Sequence, residues 1–403
     1  MILQMKKAKI LLCHNHYQQA GGESLVFENE VRGLRSNGHE VIEYIRSNAE
    51  ISGFNFRQKA GMVAEAYASN QTEHELERLV NETRPDLAIV QNVFPLLSPS
   101  VYIILNKLHI PVIQVAYNFR FICPQAELYT EGAICERCLE DNLLQAVRHR
   151  CYHHSFLQSA WYASIIGFHR MNGTFIQCID AYLTPDHFMA GKFVQGGLPA
   201  LKMHVAPNPF FVPPDPGSSV PQRYVLFAGR WVTEKGVPTL LKAMQKVASD
   251  VHLVMVGTGE LEPWIQSQLI ESRLDSRVTL LGPRWGDELL DLIRQCMAVV
   301  IPSEWYDSLP LILCQANAMS RPVIASRING IPEYIREGVN GFLFEPGDVE
   351  SLAETIDRLA SMSASEHIAL SRSSRQYAET ELDYPVHYAR LNQLMIDLLG
   401  GNG

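Results

Sequence analysis

No stretch of this sequence approaches the ~18–20 consecutive apolar residues that a membrane-spanning helix requires. A basic surplus is also missing. Lys and Arg number 34 against 43 Asp and Glu, for a net charge of −9, and this argues against nucleic acid as the main partner, because counter-ion release needs a basic footprint. Cysteine is sparse: eight in 403 residues do not make a disulfide scaffold, so a cytoplasmic protein with reduced thiols is expected. Neither half carries G-x-G-x-x-G after its first strand, which disfavours a nicotinamide-dependent enzyme. Short repeats and low-complexity segments are absent. Met1 to Lys9 is charged and leads straight into a strand pattern, which reads against a signal peptide.

What is present is an ordinary globular composition, 47% apolar and 19% charged, long enough for two domains with cores of their own. The pattern alternates strands with helices, which predicts parallel sheets. The apolar run Lys9 to Cys13 enters a polar loop, His14 to Glu23, and then a helix with apolar residues at Leu25, Val26, Val31 and Leu34, stopped by Gly38. The double glycine Gly21-Gly22 at the helix entrance reads either as a phosphate-approaching loop or as a plain tight turn. Helical, polar character runs from Ala49 to Glu82. Strands are predicted at Pro85–Gln91, Val112–Ala116, Ile179–Leu183 and Met203–Pro209.

Between them lie Cys123, Cys135, Cys138 and Cys151. Their spacing, C-x11-C-x2-C-x12-C, suits a four-thiolate structural zinc site, with reduced thiols or a redox pair as the alternatives. Ser155 to Met171 is apolar, aromatic and helical in period. It reads as core, or as a patch for an apolar acceptor or a membrane surface.

A Pro-, Gly- and Ser-rich linker follows, and the architecture restarts. Strands are predicted at 224–228, 251–256, 278–281, 298–301, 322–326 and 341–344. The boundaries implied are an N-terminal domain at 1–208, a linker at 209–222, a second domain at 223–380 and a C-terminal helix at 381–403. The loop after Ala228 holds Arg230 and Lys235 between glycines. A guanidinium and an ammonium there would neutralise a diphosphate and stabilise it as a leaving group, unless they are two surface cations. After the strand ending at Ile301 comes a polar loop with Asp307, and Gln315 lies two helical turns into the next helix. Loops at the carboxyl ends of such strands are where ligands bind.

In their order and spacing these motifs resemble glycosyltransferase family 4 (glycosyl transferases group 1). They are Gly21-Gly22-Glu23; Asn118-Phe119-Arg120 with Cys123-Pro124; Gly229-Arg230 with Glu234-Lys235-Gly236; Gly257-Thr258-Gly259-Glu260; the stretch Ser303 to Ala316; and Gly330-Ile331-Pro332-Glu333 with Asn340-Gly341. The resemblance covers nearly the whole chain. It implies an α/β protein of GT-B fold, two doubly wound Rossmann-like domains facing a cleft, with the last helix crossing back to the first domain. It also implies a retaining transferase of polysaccharide, glycoconjugate or natural-product biosynthesis, using a UDP- or GDP-sugar and no metal for catalysis. The acceptor would be a small molecule, a lipid-linked species or a glycan, and the protein cytoplasmic or peripheral on the inner membrane face.

By the same resemblance Arg230 and Lys235 bind the diphosphate, Asp307 holds the donor sugar and Gln315 the ribose. Gly21, Gly22 and Glu23 close over the phosphates. Gly229, Gly257, Gly259, Glu260 and Arg284 border the nucleotide, and Asn118, Arg120, Ser308, Leu309 and Leu311 complete the donor site. Tyr117 stands where the family has histidine, facing the anomeric region. Tyr117, Asp307 and Gln315 all depart from the family pattern, the last two replacing glutamates, and Pro310 stands where many members have glycine. The alternative they raise is a non-catalytic nucleotide-sugar-binding protein or a partner subunit of another transferase.

Overall fold

The computed structural model describes residues 7–17, 22–217 and 219–400. Its contacts divide the chain into two units: Met1–Leu128 with Cys135–Phe210 and Tyr384–Gly403, and Tyr129–Ile134 with Phe211–Asp383. In chain order the strands are β1 Lys9–His16, β2 Glu40–Ser47, β3 Leu87–Val90, β4 Val112–Val115, β5 Tyr129–Thr130, β6 Ala133–Ile134, β7 Ala181–Thr184 and β8 Met203–Val205. They continue as β9 Tyr224–Ala228, β10 His252–Val256, β11 Val278–Leu281, β12 Ala298–Ile301, β13 Val323–Ser326 and β14 Gly341–Phe344.

The first unit is built on the sheet β2-β1-β3-β4-β7-β8, and the second on β11-β10-β9-β12-β13-β14. Every pairing in both is parallel. Strands buried on both faces need continuous apolar sequence, and β3, β4, β7, β12 and β13 are buried at every residue. In each sheet the order reverses once, between β1 and β3 and between β9 and β12.

Two sequence expectations change. The polar loop expected from His14 begins later, because His14, Asn15 and His16 pair in register with Ile45, Arg46 and Ser47 of β2. The single helical region expected over Ala49–Glu82 is a 3-10 turn, Asn48–Gly53, and two helices, Phe56–Glu65 and Asn70–Thr83. Three successive N-caps restart the chain there: Ser47 and Asn55, each in a reciprocal capping box, and Ser69. Each such cap contributes about 1 kcal/mol to the start it fixes.

The first core joins Ile10 and Leu12 of β1 to Phe27 and Leu34 of the helix Gly22–Ser36. Leu391, Leu394 and Met395 of the C-terminal helix Tyr384–Gly400 complete it. That helix is also tied by polar contacts. His387 donates Nδ1–H to the Pro207 carbonyl at 2.7 Å, and its Nε2 lies 2.8 Å from Glu30 Oε2, both side chains being buried. The second core packs Val225 and Phe227 of β9 and Met255 of β10 against Leu240, Leu241 and Met244 of the helix Val237–Lys246, and against Leu352, Ile356 and Leu359.

Candidate functional site

In the second unit the loops leaving β9 and β12 emerge side by side at the reversal point of the sheet. Lys235 and Asp307, one from each loop, meet there. Lys235 Nζ donates to Asp307 Oδ2, both side chains being largely shielded from water, and Nζ also lies 5.3 Å over the Trp305 ring. Ser303 Oγ donates to the same carboxylate oxygen at 3.3 Å, and Asn329 Nδ2 donates to the Asp307 carbonyl. A carboxylate with these partners is fixed in place, with a cation beside it.

Loop spacing depends on glycine at two points. Gly236 has φ +70°, and a Cβ there would lie 1.7 Å from the Pro302 carbonyl oxygen. Gly257 has φ +137°, and its Cβ would lie 2.0 Å from the Gly229 carbonyl oxygen. Only glycine permits both that backbone and that approach.

Arg230 points outward, with a side chain 58% exposed and 3.7 Å from Glu234 Oε1. Gln315 sits partly exposed in the helix Leu311–Ala318, which follows β12, and no hydrogen bond of its side chain is present among the described residues. Ser308 and Leu311 are partly exposed, whereas Leu309 is buried. Glu260 is exposed beyond β10, and Arg284, beyond β11, reaches Glu288 at 3.5 Å. Glu304, a neighbour of Asp307 in sequence, accepts from Thr239 Oγ1 at 2.5 Å and so is held by the helix Val237–Lys246.

The first unit has its own polar pocket beyond β1, β3 and β4, lined by Glu23, Gln91, Phe94, Tyr117, Asn118 and Arg120 among others. Asn118 Nδ2 donates to Glu23 Oε1 at 3.4 Å and to the Tyr17 hydroxyl at 3.3 Å. The Arg120 guanidinium donates to the Pro124 carbonyl at 2.8 Å and lies 4.7 Å over Tyr162, 5.5 Å over Tyr152 and 5.9 Å over Phe94. Burial pushes the Glu23 carboxyl up to about 7, against the pull of Asn118 and Arg120. Burial, with Glu30 and Glu23 nearby, holds the Tyr117 phenol well above its usual range. Tyr117 therefore offers a neutral hydroxyl and no base. Gly22 opens the helix before Glu23, and Gly21 lies outside the described residues.

Gln91, Trp305 and Asn329 were not singled out by sequence as site residues. Their signal was position alone, each just past or near the carboxyl end of a strand.

The expected zinc site finds no support in the structure. Cys123, Cys135, Cys138 and Cys151 are free thiols, and among the described residues no group of three or more His, Cys, Asp or Glu side chains is placed to hold a metal. Cys138 is fixed in the short helix Arg137–Glu140, and burial pushes its thiol up to about 12. Burial likewise raises the Cys123 thiol.

Residues 222–362, most of the second unit, match the family model described as glycosyl transferases group 1. Over these residues the chain is similar to the glycosyl transferases group 1. It is 31% identical over 142 residues to an uncharacterized glycosyltransferase of Methanocaldococcus jannaschii, covering 35% of this chain and 36% of that one. It is 31% identical over 166 residues to the D-inositol 3-phosphate glycosyltransferase of Mycolicibacterium smegmatis, covering 40% and 37%. The chain thus matches little more than a third of the length of these relatives. Among solved structures, Anabaena HepE in complex with UDP aligns over 98% of this chain and 100% of its own, with TM-score 0.63 and 17% identity. That likeness, with the two parallel sheets, shows the GT-B fold.

Proposed function

We propose that the chain is a retaining glycosyltransferase that moves a sugar from a nucleoside-diphosphate donor to an acceptor hydroxyl. The observation that carries this reading is the meeting of Lys235 and Asp307 at the point where the second sheet reverses, the position at which open α/β sheets bind ligands. Lys235, with Arg230, neutralises the diphosphate as it leaves, so catalysis runs without a metal. Asp307 orients the sugar hydroxyls, and Gln315 reaches the ribose. Gly22 and Glu23 are assigned to the phosphates, Asn118, Arg120 and Tyr117 to the sugar, and Gly229, Gly257, Gly259, Glu260, Arg284, Ser308, Leu309 and Leu311 to the rest of the donor. A UDP-sugar is the first donor to try, since a protein of the same fold was solved with UDP.

The acceptor is a small molecule, a lipid-linked species or a glycan. Exposed Phe156 and Leu157 at the start of the helix Phe156–Met171 favour a peripheral site on the inner face of the membrane. No described helix is long and apolar enough to cross one.

A second reading, donor binding without transfer, is favoured by Tyr117, whose phenol stays protonated where the family has histidine. Mass-spectrometric detection of released sugar or transfer product from UDP- and GDP-sugars separates the two. Tight binding with no turnover, unchanged in Tyr117→His with Gln315→Glu, supports the second.

A further inference from the structure

Gln91 follows the last residue of β3 and is 4% exposed. Among the described residues neither its side-chain nitrogen Nε2 nor its side-chain oxygen Oε1 has a hydrogen-bond partner, although it lines the first unit's pocket. The Gln114 amide of the same pocket is bonded at both ends. Gln114 Nε2 donates to the Gln91 carbonyl at 2.6 Å and to the Val115 carbonyl at 2.7 Å, and its Oε1 accepts from Tyr102 at 2.6 Å. A buried amide left open at both ends costs about 1–3 kcal/mol per unsatisfied group, and in a native protein it calls for an occupant.

The pocket's size and chemistry restrict that occupant. Its interior offers about 20 Å³ to the centre of a water-sized sphere, room for about one water. A phosphate exceeds that and meets the Glu23 carboxyl. An ammonium meets the Arg120 guanidinium and the donor end of Gln91. A hydroxyl is of the right size, and it both donates and accepts, as Gln91 Oε1 and Nε2 together require.

We propose that Gln91, with Glu23 and Arg120 beside it, forms a socket for a single hydroxyl of a bound sugar and so sets which sugar the protein accepts. This rests on the reading of the chain as a sugar-nucleotide protein. The hydroxyl belongs either to the donor's sugar or to an acceptor sugar, and recognition is the same for both. Water fills the socket until the sugar hydroxyl displaces it.

The test uses the full chain and two forms of one residue, wild type and Gln91→Leu, which keeps the volume and removes both polar ends. Titration calorimetry first measures UDP and GDP. It then measures the matching diphospho-glucose, -galactose, -mannose and -N-acetylglucosamine, and the monodeoxy analogues of the tightest of these. Free glucose, galactose, mannose and N-acetylglucosamine are then followed by saturation-transfer NMR in the presence of the nucleotide.

The expected result is unchanged nucleotide affinity and an about 10-fold weaker binding of one sugar ligand by Gln91→Leu, from the loss of two neutral hydrogen bonds. In the donor arm the loss appears with the sugar nucleotide. In the acceptor arm it appears with a free sugar. Deleting one particular hydroxyl must cost the unaltered protein about 10-fold and must cost Gln91→Leu nothing further, while unchanged nucleotide affinity shows that the variant is folded. If UDP or GDP binds but the substitution leaves the binding of every sugar ligand unchanged, the socket holds a structural water only and the inference is overturned. If neither nucleotide binds, the proposed function itself is what fails.

Discussion

Replacing Gly236 by alanine introduces a Cβ that would lie 1.7 Å from the Pro302 carbonyl oxygen, at a residue with φ +70°. Left-handed backbone costs a non-glycine residue about 1–2 kcal/mol, and forcing apart two packed segments costs roughly a further 1–3 kcal/mol. The contact is with backbone, so no side-chain rotation relieves it. The sum is about 2–5 kcal/mol, and at about 2–4 °C per kcal/mol for a unit of this size the melting temperature falls by roughly 4–20 °C. Gly229→Ala is the matched control. Its Cβ would first meet Phe227 Cζ at 3.7 Å, an ordinary contact, at a backbone angle open to any residue. Differential scanning calorimetry of the two variants is the assay. If Gly236→Ala melts within about 2 °C of Gly229→Ala, the close approach of the β9 and β12 loops is wrong, and with it the geometry that brings Lys235 to Asp307.

Four further outcomes are expected. Gln315→Glu should tighten nucleotide binding by about 10-fold, because a charged acceptor makes a hydrogen bond about 1 kcal/mol or more stronger than a neutral one; calorimetry with UDP or GDP reads it. Lys235→Ala should lower kcat/KM by roughly 10- to 100-fold through loss of a charge-assisted contact to the diphosphate, with initial rates as the check.

Burial pulls His387 down, but Glu30 and the Pro207 carbonyl more than offset this and hold it above its ordinary value. Its stabilising contribution is therefore complete below about pH 6.5 and is lost as pH rises through the folded-state value. Urea melts from pH 6 to 9 should show that decline, and Glu30→Gln should remove it. Glu23, raised by burial to about 7, favours the folded state when protonated. Its contribution is present below the unfolded value and is lost as pH rises towards 7, so Glu23→Gln should flatten that part of the stability profile.

The two sheets were legible because parallel strands write themselves as short apolar runs, and β9, β11, β12 and β14 fall within the runs read from sequence. The break-up of Ala49–Glu82 was less visible, since Ser47, Asn55 and Ser69 act as caps only once their reciprocal bonds form. At the site, glycine spacing announced the loops. What spacing leaves out is which polar groups face one another. Lys235 and Asp307, 72 positions apart, are an ion pair, although sequence gave them separate ends of the ligand. The cysteines show the converse: a sound ligand spacing at which no metal-holding group is found among the described residues. Gln91 was read only as the ligand-side end of a strand, because an unpartnered amide is a property of its surroundings.

The most direct test of the central claim is single-turnover release or transfer of sugar from UDP- and GDP-sugars, followed by mass spectrometry on wild-type protein and Lys235→Ala. The account predicts sugar release from at least one donor by the wild type, falling by roughly 10-fold or more in the variant. Tight donor binding with no release from any donor, or release at equal rates in both proteins, would contradict it.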